Sequence, residues 1–130
     1  MTYHSLGFKL IREQFKRVNV DQYKVDGILD DVVLPIADEW QSKQAKYRIK
    51  NLVGLAKQSG AKERGELERL ADHHDLDLNG NEEVVFDYVP KVLRKCKEIT
   101  NVVDFDDMIW MPRELGLKAN KYDTLLIDEA

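Results

Sequence analysis

The chain has 130 residues, of which 43% are apolar and 34% charged, and its formal net charge is −4. This composition fits one globular domain and excludes a disordered chain. The net charge excludes an overall basic surface for nucleic acid, but not a local basic patch. A single cysteine, Cys96, excludes an internal disulfide. No apolar run approaches the roughly 18 residues of a membrane span, and no signal-peptide pattern opens the sequence, so we predict a cytoplasmic protein.

The first half of the chain predicts three helices, because apolar residues recur there at spacings of three and four. The first stripe consists of Tyr3, Leu6, Leu10, Ile11, Phe15 and Val18. The second consists of Val25, Ile28, Leu29, Val32, Val33 and Ile36. Asp21 is the expected cap of the second helix, and Pro35 should end or kink it. The third helix is predicted from about Asp38 to Gln58, with Gly60 as its C-terminal cap. Its expected buried face is Ala45, Ile49, Leu52, Val53 and Ala56.

Three further helices are predicted in the second half. A short one around Glu63 to His73 carries Leu67, Leu70 and Ala71, and a polar turn follows it. The next spans Glu83 to Ile99, and Pro90 inside it should either kink the helix or mark its effective start. Its apolar stripe is Val85, Val89, Val92, Cys96 and Ile99. The stretch VVDFDDMIWMPREL predicts a last short helix that Asp104 caps and Pro112 stops.

The stretch DTLLID near the C-terminus is the one strand that the pattern predicts. A single strand needs a partner for its backbone groups, and we expect none elsewhere in the chain. This strand therefore indicates that the chain is a piece of something larger. Its apolar run, Leu125 to Ile127, is also expected to allow pairing with a second copy of the chain.

Most catalytic and metal-site patterns are incomplete. The stretch DLDLNGNEEVVF begins like a calcium loop, but its twelfth position is Phe86 where a bidentate Glu is required, so a polar turn is the better interpretation. Adjacent His73 and His74 point about 100° apart on a helix, which argues against a shared metal. No serine lies in a nucleophile elbow, and no glycine-rich phosphate loop occurs in the sequence.

The terminal LLIDEA has the form of a Walker B element, an apolar strand that ends in two carboxylates. Ligands of open α/β sheets lie beyond the carboxyl ends of their strands. There Asp128 would hold the Mg²⁺ of a nucleotide, and Glu129 would orient or deprotonate the attacking water.

Three short stretches together resemble motifs of the UvrD/Rep-like superfamily 1 DNA helicases. TYHSLGFKLIR is similar to the family's TFHSLG motif, VVDFDDMI to its DFDDM segment, and YDTLLIDEA to its Walker B motif, in the family's order and spacing. The resemblance implies a mainly α fold: a helical subdomain inserted in a RecA-like P-loop ATPase domain, with one C-terminal β-strand. Residues 1–18 would be the DNA-contact motif and helix, 19–101 the inserted subdomain, and 102–130 the return segment and Walker B strand.

The resemblance also implies site residues and partners. Thr2 and His4 would contact the DNA backbone, Asp128 would bind Mg²⁺ with ATP, and Glu129 would be catalytic. The 104–107 segment would be structural first and close to DNA second. The parent would be an ATP-dependent helicase that translocates on single-stranded DNA and separates forked strands.

The sequence departs from the family in having no P-loop lysine and no second motor domain. We therefore predict that the isolated chain hydrolyses no ATP and contributes DNA contact only. The alternative is a stand-alone helical interaction module of phage or bacterial origin, without catalysis, in which LLIDEA is merely an acidic tail.

Three clusters of basic residues offer phosphate contacts, and the sequence does not say which of them faces DNA. They are Lys9, Arg12, Lys16 and Arg17; Lys43, Lys46, Arg48 and Lys50; and Lys91, Arg94, Lys95 and Lys97. Trp40 and Tyr47 are candidates for stacking on bases. Trp110, which lies among apolar neighbours, is expected to pack in the core.

Overall fold

The computed structural model describes residues 2–15, 17–78 and 80–117. In that part of the chain the elements are α1 (Tyr3–Gln14), β1 (Asn19–Val20), α2 (Lys24–Asp30), α3 (Glu39–Ser59), α4 (Arg64–His73), α5 (Glu82–Glu98), β2 (Val102–Val103) and α6 (Asp107–Glu114). The prediction of a mainly helical chain is confirmed. The described residues form two compact units: one takes those up to Lys24 together with 96–117, and the other takes those of Val25–Lys95. No helix of the described residues is long and apolar enough to cross a membrane.

In the first unit, α1 packs against α6. The predicted stripe of α1 is confirmed for Leu6, Leu10 and Ile11, which are buried, but Tyr3 is 59% exposed. Trp110 of α6 is 2% exposed, which confirms its expected core position. Burial of these large side chains supplies most of the energy that holds the two helices together.

The two short strands correct the expectation that DTLLID would be the one strand of the chain. β1 and β2 pair in parallel, with Asn19 opposite Val102 and Val20 opposite Val103. Two-residue strands carry almost no periodic signal, and a parallel pair is formed by residues distant in sequence, which is why the pattern did not reveal them. DTLLID itself lies outside the described residues.

Prolines interrupt the helices less than predicted. α5 begins at Glu82 and runs through Pro90, so the alternative in which it starts near that proline is wrong. The prediction that Pro112 stops α6 is also wrong, because the helix continues to Glu114. A proline inside a helix costs about 3 kcal/mol, and burial of several apolar side chains at about 1.5–3 kcal/mol each exceeds that cost.

α2, by contrast, ends earlier than predicted. The helix ends at Asp30, well before Pro35, and Val33 is 88% exposed where a buried position was expected. Asp30 and Asp31 at a helix C-terminus oppose the helix dipole, and the residue before a proline avoids helical geometry. The chain therefore leaves the helix early.

The helix that was predicted most accurately, α3, lies in the second unit. α3 starts after Asp38, whose Oδ1 accepts hydrogen bonds from the amides of Trp40 (2.9 Å) and Gln41 (3.3 Å). It ends at Gly60, which has a φ of 82° as a left-handed cap requires. All five residues of the expected buried face are buried.

Arg64 connects the N-terminal turns of α4 and α5. Its guanidinium lies 3.0 Å from the carboxylate of Glu68 and 2.7 Å from that of Glu83. These hydrogen bonds, that of Glu83 first, hold the pKa of Arg64 above its ordinary value. The three side chains are exposed, so water screens the pairs and they contribute little to stability.

Candidate nucleic-acid interface

α1 and α6 approach each other most closely at Gly7. A Cβ atom at this position would lie 1.5 Å from the carbonyl oxygen of Met108. The Gly7 hydrogen that replaces the side chain therefore points at this oxygen, in the geometry of a Cα–H···O contact. Pro112, four residues after Met108, has no N–H to donate to the same carbonyl. Because of Pro112, the Met108 carbonyl oxygen lacks the N–H donor that it would have inside a helix. Because Gly7 has no side chain, α1 can approach this oxygen closely.

The segment before α6 is held by two aspartates that cap each other's backbone. Asp104 Oδ1 accepts a hydrogen bond from the amide of Asp107 (2.8 Å), and Asp107 Oδ2 accepts one from the amide of Asp104 (3.2 Å). This arrangement has the logic of a capping box. The prediction that Asp104 caps the last helix is right only in part, because α6 begins at Asp107 with Asp106 as its N-cap, and Asp104 caps the turn that leads into it. Both aspartates are buried, whereas Phe105 between them is 56% exposed. The capping therefore presents the Phe105 ring to solvent.

Lys24 is the buried cation that anchors this segment. Its Nζ lies 2.7 Å from Asp107 Oδ2 and donates hydrogen bonds to the carbonyl oxygens of Cys96 (2.9 Å) and Ile99 (3.0 Å). One ammonium thus satisfies a carbonyl in the last turn of α5, a carbonyl just after that helix and the carboxylate at the start of α6. Sequence reasoning missed Lys24, because its partners lie more than 70 residues away and no local pattern marks it.

Thr2 and Ser5 organise the N-terminus of α1. Thr2 Oγ1 accepts a hydrogen bond from the Ser5 amide (3.0 Å), as an N-cap does, and the two hydroxyls are hydrogen-bonded at 2.8 Å. His4 is exposed, and its ring meets the Phe105 ring edge to face, with 6.4 Å between the centroids. We call the four exposed residues Thr2, His4, Ser5 and Phe105 the His4–Phe105 face.

Cationic side chains lie further along α1. A shallow surface depression is lined by Ser5, Phe8, Lys9, Arg12 and Glu13. The Arg12 guanidinium lies 5.5 Å from the centre of the Phe8 ring. Of the four cations predicted for this helix, Lys9 and Arg12 lie in α1, Arg17 follows it, and Lys16 is outside the described residues.

The structure brings together only some of the predicted site residues. Thr2 and His4 lie on one face, together with Phe105 of the 104–107 segment. Asp128 and Glu129, the predicted Mg²⁺ ligand and catalytic carboxylate, lie outside the described residues. Among residues 2–15, 17–78 and 80–117, no group of three His, Cys, Asp or Glu side chains is arranged to hold a metal. His73 and His74 contact each other edge to face, with 5.1 Å between the ring centroids.

No family model matches this chain, and no match was found among curated proteins or among solved structures. Its functional interpretation therefore depends on its own residues and their geometry.

Proposed function

We propose that this chain is a piece of a UvrD/Rep-like superfamily 1 DNA helicase and that its His4–Phe105 face contacts single-stranded DNA. One observation carries the proposal: two stretches that resemble separate helicase motifs, TYHSLG and DFDDM, come from opposite ends of the described chain, and exposed residues from both meet on one face. Gly7 and Met108, one from each motif, make the closest backbone approach between α1 and α6. Packing alone does not require the neighbouring His4 and Phe105 to be aromatic and exposed.

The chemistry of the face suits a nucleic-acid strand. The N-terminus of α1 directs amide N–H groups and the positive end of the helix dipole outward, and phosphate groups bind such ends. The Ser5 hydroxyl, which accepts the hydrogen of Thr2 Oγ1 and keeps its own to donate, and the His4 ring add donors for phosphate or sugar. Such contacts position a strand without reading its sequence. Phe105 offers a flat ring on which a base can stack.

In the intact helicase, residues 19–101 would be the subdomain inserted in a RecA-like domain. Asp128 would bind Mg²⁺ and Glu129 would act on the attacking water, so both would serve ATP hydrolysis. The 130 residues contain no GxxxxGK(S/T) stretch. A nucleotide would therefore lack the backbone cradle and the lysine that hold its phosphates, and the chain by itself should neither bind nor hydrolyse ATP.

The test of the DNA-contact role is the affinity of the full chain for a labelled thymidine oligonucleotide, measured by fluorescence anisotropy at low salt. Removing the two aromatic rings with His4→Ala/Phe105→Ala should raise Kd about tenfold or more, because one stacked base contributes about 1–3 kcal/mol. Tyr23→Ala is the matched control, because Tyr23 is a 61% exposed aromatic residue in the same unit but outside the face. Equal affinities of the double variant and the control would refute the assignment.

The rival interaction module predicts no binding to the oligonucleotide even at low salt. The helicase assignment instead predicts a Kd that rises with salt concentration, because phosphate contacts release counterions. Filter binding with labelled ATP should show no complex, and tight ATP binding by this chain would contradict our account of the missing phosphate loop.

A further inference from the structure

A second surface of the protein, on α3 of the other unit, also combines exposed aromatic rings with cations. Trp40 and Tyr47 are 66% and 54% exposed. They are seven residues apart, which is two helical turns and about 10 Å along the helix axis. Ile49, two residues after Tyr47, points about 200° away around the helix and is fully buried. The two rings therefore lie on the side of α3 opposite its core face.

The charges between these two rings along α3 are positive. From Trp40 to Ala56 the sequence of α3 has no acidic residue, and Lys43 is exposed on the turn between the two rings. The Arg48 guanidinium lies 5.5 Å from the centre of the Tyr47 ring, and its Nε donates a hydrogen bond to the carbonyl oxygen of Asp77 (2.6 Å). This bond fixes the guanidinium beside the ring.

Acidic residues also lie near this side of α3. Lys50 forms an ion pair with Asp26, 2.9 Å apart, so its charge is locally offset. Asp38 and Glu39 lie at the N-terminus of α3, where Asp38 caps the helix. An anionic partner is therefore favoured beside Lys43 and Tyr47. At Trp40, which lies next to Asp38 and Glu39 in the first turn of α3, the ring favours stacking of a base but the neighbouring charges do not favour a phosphate.

We propose that this side of α3 is a second contact site for single-stranded nucleic acid, in which Trp40 and Tyr47 stack on bases and Lys43 contacts the intervening phosphate. The positive charge complements a polyanion, and flat rings with polar edges suit bases. A partner helix docked in a groove would need a continuous apolar stripe at i, i+3, i+4 and i+7. Here the positions between the rings are Lys43 and Gln44, both polar.

The two tryptophans make a direct test possible. Trp40 is 66% exposed and Trp110 is 2% exposed, so a strand that stacks on Trp40 quenches one tryptophan and leaves the other unchanged. Titration of the full chain with a thymidine oligonucleotide should quench tryptophan emission, and Trp40→Phe should remove this signal. By anisotropy, Trp40→Phe should bind nearly as well as the unaltered chain, because a flat ring remains.

Substitution by a non-planar apolar residue separates stacking from general hydrophobic contact. Trp40→Leu/Tyr47→Leu is made in a chain that already carries His4→Ala/Phe105→Ala, so that the other site does not mask the loss. There it should raise Kd about tenfold or more, since each ring would lose its base. Lys43→Ala should reduce the dependence of log Kd on log salt by about one. Tyr23→Ala again serves as the control with an exposed ring elsewhere.

The site on α3 is independent of the His4–Phe105 face. The variant His4→Ala/Phe105→Ala should therefore keep the quenching of Trp40, so failure of one site is distinguishable from failure of the other. An unchanged Trp40 emission on titration would overturn the proposal, as would an unchanged Kd when Trp40→Leu/Tyr47→Leu is added to the His4→Ala/Phe105→Ala chain. So would a Trp40 response to anionic lipid vesicles in place of the oligonucleotide, or a dimer that Trp40→Leu dissociates.

Discussion

The close approach of α1 and α6 makes Gly7→Ala the most informative single substitution. The new methyl group would lie 1.5 Å from the carbonyl oxygen of Met108 and 2.6 Å from its carbonyl carbon, whereas ordinary contacts begin near 3.4 Å. Both obstacles are backbone atoms, so no side chain can rotate away. The two helices would have to separate locally by about 2 Å.

The expected cost follows from this geometry. Overpacking a tight interior site typically costs 1–3 kcal/mol, and a rigid backbone obstacle places Gly7→Ala at the upper end, about 3 kcal/mol. Alanine has a higher helix propensity than glycine, which offsets about 1 kcal/mol of this cost. The net loss in unfolding free energy is therefore about 2 kcal/mol, which corresponds to a fall in Tm of roughly 6–10 °C in a chain of this size.

The assay is urea unfolding of the full chain followed by circular dichroism, with Gly27→Ala as the matched control. Gly27 also lies in a helix, α2, but nothing stands within 4 Å of a Cβ built there. Gly27→Ala should raise the unfolding free energy by about 0.4–1 kcal/mol. Substitution of glycine by alanine is thus expected to lower the free energy of unfolding at position 7 and to raise it at position 27.

The result also bears on function, because the His4–Phe105 face depends on the α1–α6 contact. Gly7→Ala should weaken oligonucleotide binding under conditions in which the chain is still folded. If Gly7→Ala instead stabilises the protein as Gly27→Ala does, the packing of α1 on α6 described above is refuted.

Three further substitutions test other parts of the fold by urea unfolding. Lys24→Met should lower the free energy of unfolding by about 3–5 kcal/mol, because it leaves the Asp107 carboxylate buried without its ammonium partner. A decrease of less than 1 kcal/mol would mean that water reaches this site. Asp38→Ala should cost about 1 kcal/mol by removing the cap of α3, and Asp38→Asn, which retains a capping oxygen, should cost a few tenths at most. Gly60→Ala should cost about 1 kcal/mol, since a residue with a side chain is disfavoured at a φ of 82°; a stabilised variant would show that the helix end rearranges.

Local signals in the sequence were sufficient to predict the position and bounds of α3 and α4. The bounds of α3 follow from a capping aspartate, a terminal glycine and one apolar stripe, and all three act within a few residues of the helix they define. Thr2 and His4 could be proposed as DNA contacts because they stand in a short motif that can be read without knowing the fold. The Asp104 cap is local in the same sense, since its partner is three residues away.

The remaining features depend on neighbours that are distant in sequence, and only the tertiary structure decided them. Pro90 and Pro112 remain inside helices because side chains from other elements bury the faces around them. Lys24 became an anchor because α5 and α6 bring two carbonyls and a carboxylate to its ammonium. Gly7 is required by a carbonyl about one hundred residues further along the chain. Caps and stripes act over one or two helical turns, whereas burial and close backbone approach are set by the whole packed unit.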